Sequence, residues 1–142
     1  MDTKNRILVL DDEPIVGERL KMSLEREGFF VEALSSSLEA LDKLRTERYN
    51  VLVTDLKMSG PDGMEVLRAA RRHQPEIKAV VITGFATIET AEEARESGAV
   101  EFIAKPFKMS QLKDIIVALL RAGEHSEDEN RPGRRPPGET EK

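Results

Sequence analysis

Apolar runs and amphipathic segments alternate five times along most of this 142-residue chain. The apolar runs are too short for typical helices and are rich in β-branched residues, so each predicts a buried strand. The five predicted strands cover about residues 6–11, 29–34, 51–54, 79–83 and 101–104. Continuous apolar strands are typical of a sheet that is covered on both faces.

Each predicted strand is followed by a segment with helical spacing of its apolar residues. The first helix starts near Pro14 and stops at Gly28, and Ser36 with Glu39 has the spacing of a capping box. The remaining helices are predicted from Asp62 to before Pro75, over about 87–96, and over about 110–122. The apolar positions predicted to face inward are Val16, Leu20, Leu24, Leu38, Leu41, Leu44, Val66, Leu67, Ala70, Ile88, Ala91, Ala94, Leu112, Ile115, Ile116, Leu119 and Leu120.

This alternation of strands and helices predicts βαβ units, a parallel sheet and right-handed crossovers. The fourth helix offers mainly two alanines and one isoleucine to the core, whereas the first, second and fifth offer rows of leucines. Because less apolar area is buried there, the fourth helix is expected to be weakly anchored.

Charged and hydroxyl side chains stand where the predicted strands end. Asp11 and Asp12 follow the first strand, Asp55 the third, Thr83 ends the fourth and Lys105 follows the fifth. In an open parallel sheet the ligand site lies outside the carboxyl ends of the strands. Two carboxylates about 4 Å apart repel by roughly 4 kcal/mol at an effective dielectric of about 20, so such a cluster favours a cation. Mg2+ fits, because it takes one or two carboxylates and keeps water and phosphate ligands.

Lys105 and Thr83 add an ammonium and a hydroxyl group to this predicted cluster. Phosphoryl transfer needs charge neutralisation and positioning of this kind, and little covalent work from the protein. Asp55 could then act as a carboxylate nucleophile.

Composition and charge limit the classes of partner and the cellular location that the chain is expected to have. The net charge is −5 and no long basic stretch is present, which argues against direct binding of nucleic acid. There is no cysteine, the N-terminus lacks an apolar signal core, and the run 115–120 is far shorter than the roughly 20 residues that span a bilayer. A soluble cytoplasmic protein is expected, and residues 123–142, polar and rich in Pro and Gly, are predicted to form a disordered tail.

The motifs now match a known family. Asp11-Asp12-Glu13, Asp55, Thr83-Gly84 and Lys105-Pro106-Phe107 resemble the receiver domain of two-component response regulators over about residues 5–122. The stretches that follow strands four and five look most like receivers of the nitrogen-regulator type. The resemblance implies a receiver over residues 1–122, with a doubly wound, flavodoxin-like (βα)5 fold, an α/β architecture whose parallel five-stranded sheet has the order 2-1-3-4-5.

The resemblance also implies a metal site and an acceptor. Asp55 would accept a phosphoryl group from the phosphohistidine of a sensor histidine kinase or a histidine phosphotransfer protein. Asp12 and Asp55 would bind Mg2+ directly, Asp11 would act through water, and Lys57 would contribute its backbone carbonyl.

The remaining implied roles concern the response. Lys105 would pair with the phosphoryl oxygens across a cis Lys105–Pro106 bond, Thr83 would hydrogen-bond the phosphoryl group, and Phe102 would turn inward. Helix four, strand five and helix five would then bind a downstream protein target or form a phosphorylation-dependent homodimer. Such a domain phosphorylates and dephosphorylates itself without being a conventional enzyme.

Two departures from the family pattern concern the loop after the acceptor and its surroundings. Ser59 stands where a proline is common, which predicts a more mobile loop, and Lys57 and Phe85 occupy positions that tune phosphoryl lifetime.

Three alternatives stay open. A receiver-like module could signal without phosphorylation. A Mg2+-dependent phosphatase usually has a second Asp two positions after the first, where this chain has Lys57. The chain could also be the isolated receiver of a longer transcriptional regulator, although no P-loop or helix-turn-helix motif follows, and a stand-alone regulator is the preferred interpretation.

Overall fold

Residues 5–56 and 62–124 are described in a computed structural model of the chain. Predictions for Lys57, for Ser59 and for the tail from residue 125 onward lie outside these ranges. The five strands are β1 (Arg6–Leu10), β2 (Phe30–Leu34), β3 (Val51–Asp55), β4 (Lys78–Thr83) and β5 (Ala99–Ala104). They form one parallel sheet in the order β2-β1-β3-β4-β5, which confirms the predicted fold.

Five helices alternate with the strands: α1 (Pro14–Glu25), α2 (Ser37–Thr46), α3 (Gly63–His73), α4 (Ile88–Glu96) and α5 (Met109–Glu124). Their starts follow from local chemistry. The Ser36 hydroxyl accepts the N–H of Glu39 at 3.2 Å, and the Asp62 carboxylate accepts the N–H of Glu65 at 3.1 Å. Each cap satisfies an N–H group that the helix itself cannot. After α1 the chain turns at Gly28, whose φ of 96° is readily adopted only by glycine.

The alternating side chains of the strands build a core on each face of the sheet. Ile7 and Val9 pack with α1 and α5 in one cluster, and Leu8 and Leu10 pack with α2 and α3 in another. A third cluster joins α3, α4, β4 and β5 on the side of α3. The sheet is therefore a middle layer, with α1 and α5 on one side and α2, α3 and α4 on the other.

Two predicted core positions are wrong. Leu38 is 66% exposed and Ile88 is 76% exposed, although both were assigned to the inward face. Each lies six residues before a buried position of its helix, Leu44 or Ala94. Since an α-helix has 3.6 residues per turn, that spacing leaves the two side chains about a third of a turn apart around the helix. The inward stripe of α2 is instead Ser37, Ala40 and Leu44.

Strand and helix ends differ from prediction by one or two residues. β5 begins at Ala99, and the register of its pairing with β4 shifts between Ala79 and Val80. α5 extends to Glu124. None of the helices in the described ranges combines the length and the apolarity that a membrane-spanning segment requires.

Candidate functional site

Parallel pairing brings the predicted site residues to one edge of the sheet. Asp11 directly follows β1, Asp55 ends β3, Thr83 ends β4 and Lys105 follows β5. The register aligns Asp55 with the penultimate residue of β4, and it aligns Thr83 with the last residue of β5. Strand geometry alone therefore gathers residues that are far apart in sequence.

Three carboxylates meet at this edge. Oxygens of Asp11, Asp12 and Asp55 all lie within 4.8 Å of one another. Asp11 is fully buried and Asp55 is 6% exposed, whereas Asp12 is exposed to solvent. The cluster therefore opens outward through Asp12 and is closed on the side of the core.

The buried carboxylate of Asp11 has a partner at each oxygen. Its Oδ1 accepts the backbone N–H of Glu13 at 2.8 Å, and its Oδ2 lies 3.0 Å from the Lys105 ammonium in an ion pair. Burial raises the pKa of the Asp11 carboxyl above its ordinary value, although the Glu13 N–H and the Lys105 ammonium act in the opposite direction. An ionised Asp11 therefore depends on positive charge beside it.

Lys105 supplies one positive charge for this cluster. Its Nζ lies 2.9 Å from Asp55 Oδ2, 3.0 Å from Asp11 Oδ2 and 3.5 Å from Glu13 Oε1. Burial by itself would lower the pKa of Lys105, but hydrogen bonds to Asp55 and Asp11 and their negative charges raise it above its ordinary value. The ammonium therefore stays charged and bridges the ends of β1 and β3.

The donor set fits a hard divalent cation. Among the described residues, the Lys105 ammonium is the cation that contacts this cluster of three carboxylates, and it pairs with Asp11 and Asp55. Mg2+ and Ca2+ both prefer oxygen ligands of this kind. Asp11, Asp12 and Asp55 could hold such an ion together.

Thr83 and Phe102 belong to the two strands on the far side of β3 from β1. Thr83 is fully buried, and its Oγ1 accepts the backbone N–H of Phe85 at 3.0 Å. Phe102 is partly buried against the third core cluster, which also contains Ala94 of α4. The Lys105–Pro106 bond is cis, as the family resemblance implies.

Sequence reasoning missed one residue that shapes the site. A Cβ added at Gly63 would lie 2.0 Å from the carbonyl oxygen of Asp55 and 2.6 Å from the Cα of Leu56. Gly63 also donates its N–H to the Leu56 carbonyl at 2.9 Å. The start of α3 therefore rests directly on the backbone at the end of β3, and the available signal was a glycine immediately after the Asp62 cap.

Comparison with known proteins agrees with this geometry. Residues 7–117 match the response regulator receiver domain family. The chain is 32% identical over 124 residues to the transcriptional regulatory protein FixJ of Bradyrhizobium diazoefficiens, covering 87% of this chain but 60% of FixJ. The chain thus spans less than two thirds of the length of that relative.

Solved structures show the same fold. A CheY-like response regulator receiver domain protein from Methanospirillum hungatei JF-1 superimposes with a TM-score of 0.83 and 31% identity, covering 87% of this chain and 99% of that one. A response regulator from Burkholderia pseudomallei, solved with a phosphorylated aspartic acid, a calcium ion and citrate, has a TM-score of 0.74 and 30% identity, covering 89% of this chain and 74% of that one.

The chain belongs to the response regulator receiver domain family. Its class is that of the receivers of two-component systems.

Proposed function

We propose that this chain is a phosphorylation-driven signalling switch in which Asp55 accepts a phosphoryl group from the phosphohistidine of a sensor histidine kinase or a histidine phosphotransfer protein. The observation that carries the proposal is the contact of Asp55 Oδ2 with Lys105 Nζ at 2.9 Å, inside a cluster of three carboxylates. A carboxylate in this setting can act as a nucleophile, because the neighbouring cations neutralise the incoming phosphoryl oxygens.

Mg2+ is the proposed cofactor. Asp12 and Asp55 would bind it directly and Asp11 through water, and Lys57, which lies outside the described residues, would add its backbone carbonyl. When bound, the ion supplies positive charge that offsets the carboxylates and the phosphoryl oxygens. Support comes from the clustered carboxylates, and from the Burkholderia pseudomallei response regulator, whose structure contains both a phosphorylated aspartic acid and a divalent cation.

The chain's own side chains then have separate tasks. An oxygen of Asp55 forms a bond to phosphorus while the bond from phosphorus to the donor nitrogen breaks, and the leaving imidazole keeps the electron pair. Lys105 holds the Asp55 carboxylate in place before transfer and pairs with a phosphoryl oxygen afterwards. Thr83 donates its hydroxyl hydrogen to the phosphoryl group, and this movement lets Phe102 turn inward.

The proposed output is a protein contact. The surface of α4, β5 and α5 would bind a downstream protein target, with a phosphorylation-dependent homodimer as one form of that contact, and without direct binding of nucleic acid. The chain would act in the cytoplasm and would catalyse only its own phosphorylation and dephosphorylation, so it would not be a conventional enzyme.

A second candidate concerns the context of the domain. FixJ and the acid tolerance regulatory protein ActR of Rhizobium meliloti match this chain over 60% and 64% of their own lengths. FixJ is a transcriptional regulatory protein, which favours the alternative that this receiver controls transcription as part of a longer regulator.

The test is uptake of labelled phosphoryl groups from acetyl phosphate, with Mg2+ and with EDTA. We expect Mg2+-dependent uptake by the wild type, loss of uptake in Asp55→Asn, and normal uptake in Asp114→Asn. Asp114 is an exposed carboxylate on α5 and provides the matched control. If the folded wild-type protein takes up no label in the presence of Mg2+, the chain is better explained as an interaction module that signals without phosphorylation.

A further inference from the structure

A chain of hydrogen bonds connects Thr83 to the first turn of α4. Thr83 Oγ1 accepts the N–H of Phe85 at 3.0 Å, and the hydroxyl of Thr90 donates to the carbonyl of Phe85 at 2.8 Å. One threonine of the site and one threonine of the helix therefore hold the two backbone polar groups of the same loop residue.

The distances around Thr90 favour donation of its hydroxyl hydrogen to Phe85. Its oxygen accepts the N–H of Thr87 at 2.9 Å, while its own N–H donates to Thr87 Oγ1 at 3.0 Å. A hydroxyl has a single hydrogen to donate, and the Phe85 carbonyl at 2.8 Å is nearer than the Thr87 carbonyl at 3.1 Å. Thr90 thus joins the helix cap to the loop that holds Thr83.

Little else fixes the start of α4. Of its residues, Ala94 alone is buried, and Ile88 in the first turn is 76% exposed. No ion pair within the described ranges involves a residue of α4. The helix also carries Glu89 and Glu93 four residues apart, a like-charge spacing that weakens a helix slightly.

We infer that Thr90 is a positioning residue, which orients the Thr83 hydroxyl through the backbone of Phe85 and couples the state of Asp55 to the first turn of α4. This inference rests on the proposed function. While Thr83 Oγ1 accepts the Phe85 N–H, its hydrogen is directed away from that group and is available to the site. When Thr83 turns to donate to a phosphoryl oxygen, the bond from Phe85 is disturbed, and Thr90 transmits that change to the helix.

The alternative is that Thr87 and Thr90 form only a helix cap. A cap stabilises α4 but does not affect Thr83, so the two roles predict different results. Thr90→Val removes the hydroxyl and keeps the shape, and Thr90→Ser restores the hydroxyl. Ser36→Ala is the matched control, because it removes a hydroxyl cap from α2. This helix follows β2, the edge strand of the sheet that lies farthest from β4 and β5.

Two measurements are made on each variant. The first is the rate of amide hydrogen exchange at the Phe85 N–H and in α4, before and after treatment with acetyl phosphate and Mg2+. The second is the rate at which label from acetyl phosphate is incorporated. For Thr90→Val we expect the Phe85 amide to exchange about fivefold faster, as for the loss of one ordinary hydrogen bond. We also expect slower label incorporation and a smaller change in α4 on phosphorylation. Thr90→Ser should restore all three, and Ser36→Ala should match the wild type.

Thr90 is only a cap if Thr90→Val changes the exchange of α4 but matches Ser36→Ala in Phe85 exchange and in label incorporation. The inference also fails if Thr90→Ser does not restore them. A wild type that incorporates no label overturns the proposed function and the coupling to α4. In that case the exchange of the Phe85 amide in the untreated variants still decides whether Thr90 positions Thr83.

Discussion

Helices α3 and α4 lie on the same side of the sheet and both begin next to the carboxylate cluster, but they are anchored very differently. The buried residues of α3 are Gly63, Met64, Val66, Leu67, Ala69 and Ala70. In α4 the single buried residue is Ala94. Since burial of apolar area contributes about 25 cal/mol per Å2, α3 is held much more firmly than α4.

The difference separates a fixed part of the site from a responsive part. α3 rests on the backbone of Asp55 through Gly63, so Asp55 is held in place by a well-packed helix. α4 is held by its capping box and by the loop that reaches Thr83, and these are hydrogen bonds that a small movement can rearrange. A helix with few buried contacts is the element that can move at low cost in free energy.

The largest expected effect comes from shortening one side chain in each helix. Leu67→Ala removes a fully buried side chain from α3 and should lower the free energy of unfolding by about 3 kcal/mol. Ile88→Ala shortens an exposed side chain of α4 and should change the free energy of unfolding by less than about 0.5 kcal/mol. Urea unfolding of both variants measures the two values. Similar losses in the two variants would contradict the difference in anchoring.

A glycine pair gives a smaller effect at the starts of the same helices. Gly63→Ala places a methyl group against the Asp55 carbonyl, so α3 must shift, at a cost of about 1–3 kcal/mol. Gly84→Ala, in the loop before α4, meets no atom within 4 Å and has no positive φ, so it should be nearly neutral. Because Gly63 contacts the acceptor strand, its variant should also take up phosphoryl groups more slowly than Gly84→Ala. Equal stability of the two variants in thermal unfolding would show that α3 does not rest tightly on Asp55.

The smallest effect on stability is expected from removing the charge of Asp11. This substitution tests the electrostatic cost of the carboxylate cluster, which does not depend on the weak packing of α4. The raised pKa of Asp11 means that the native protein holds this proton more tightly than the unfolded chain does. The stabilisation that comes from binding this proton is complete below the ordinary pKa of 3.8, and it is lost as the pH rises through the raised pKa of Asp11 in the native protein. In EDTA, the stability of Asp11→Asn relative to wild type should therefore increase as the pH rises through this range.

Denaturant unfolding at several pH values checks the sign of that change. Asp114→Asn, which removes a carboxylate from an exposed position on α5, serves as the control. A relative stability of Asp11→Asn that falls as the pH rises would mean that the Lys105 ammonium outweighs the burial of Asp11.

Much of the fold was predictable from short-range pattern. The alternation of apolar runs with helical periodicity located all five strands and all five helices, because each element is defined by the spacing of its own residues. The strand order came from the likeness of the site motifs to receivers and was confirmed by the pairing of the strands. Helix faces were less certain, as Leu38 and Ile88 show, because a helix of two or three turns offers two apolar stripes and only packing selects one.

The sequence by itself determined the elements and the residue types of the site, since the carboxyl ends of parallel strands must share an edge and Asp11, Asp55 and Lys105 stand at those ends. The tertiary structure decided what depends on distances between elements. It buried Asp11 beside the Lys105 ammonium, brought Gly63 against the Asp55 carbonyl, and joined Thr83 to Thr90 through a loop residue. Hydrogen bonds and close contacts depend on shifts of tenths of an ångström, and such positions are set only when the whole core packs.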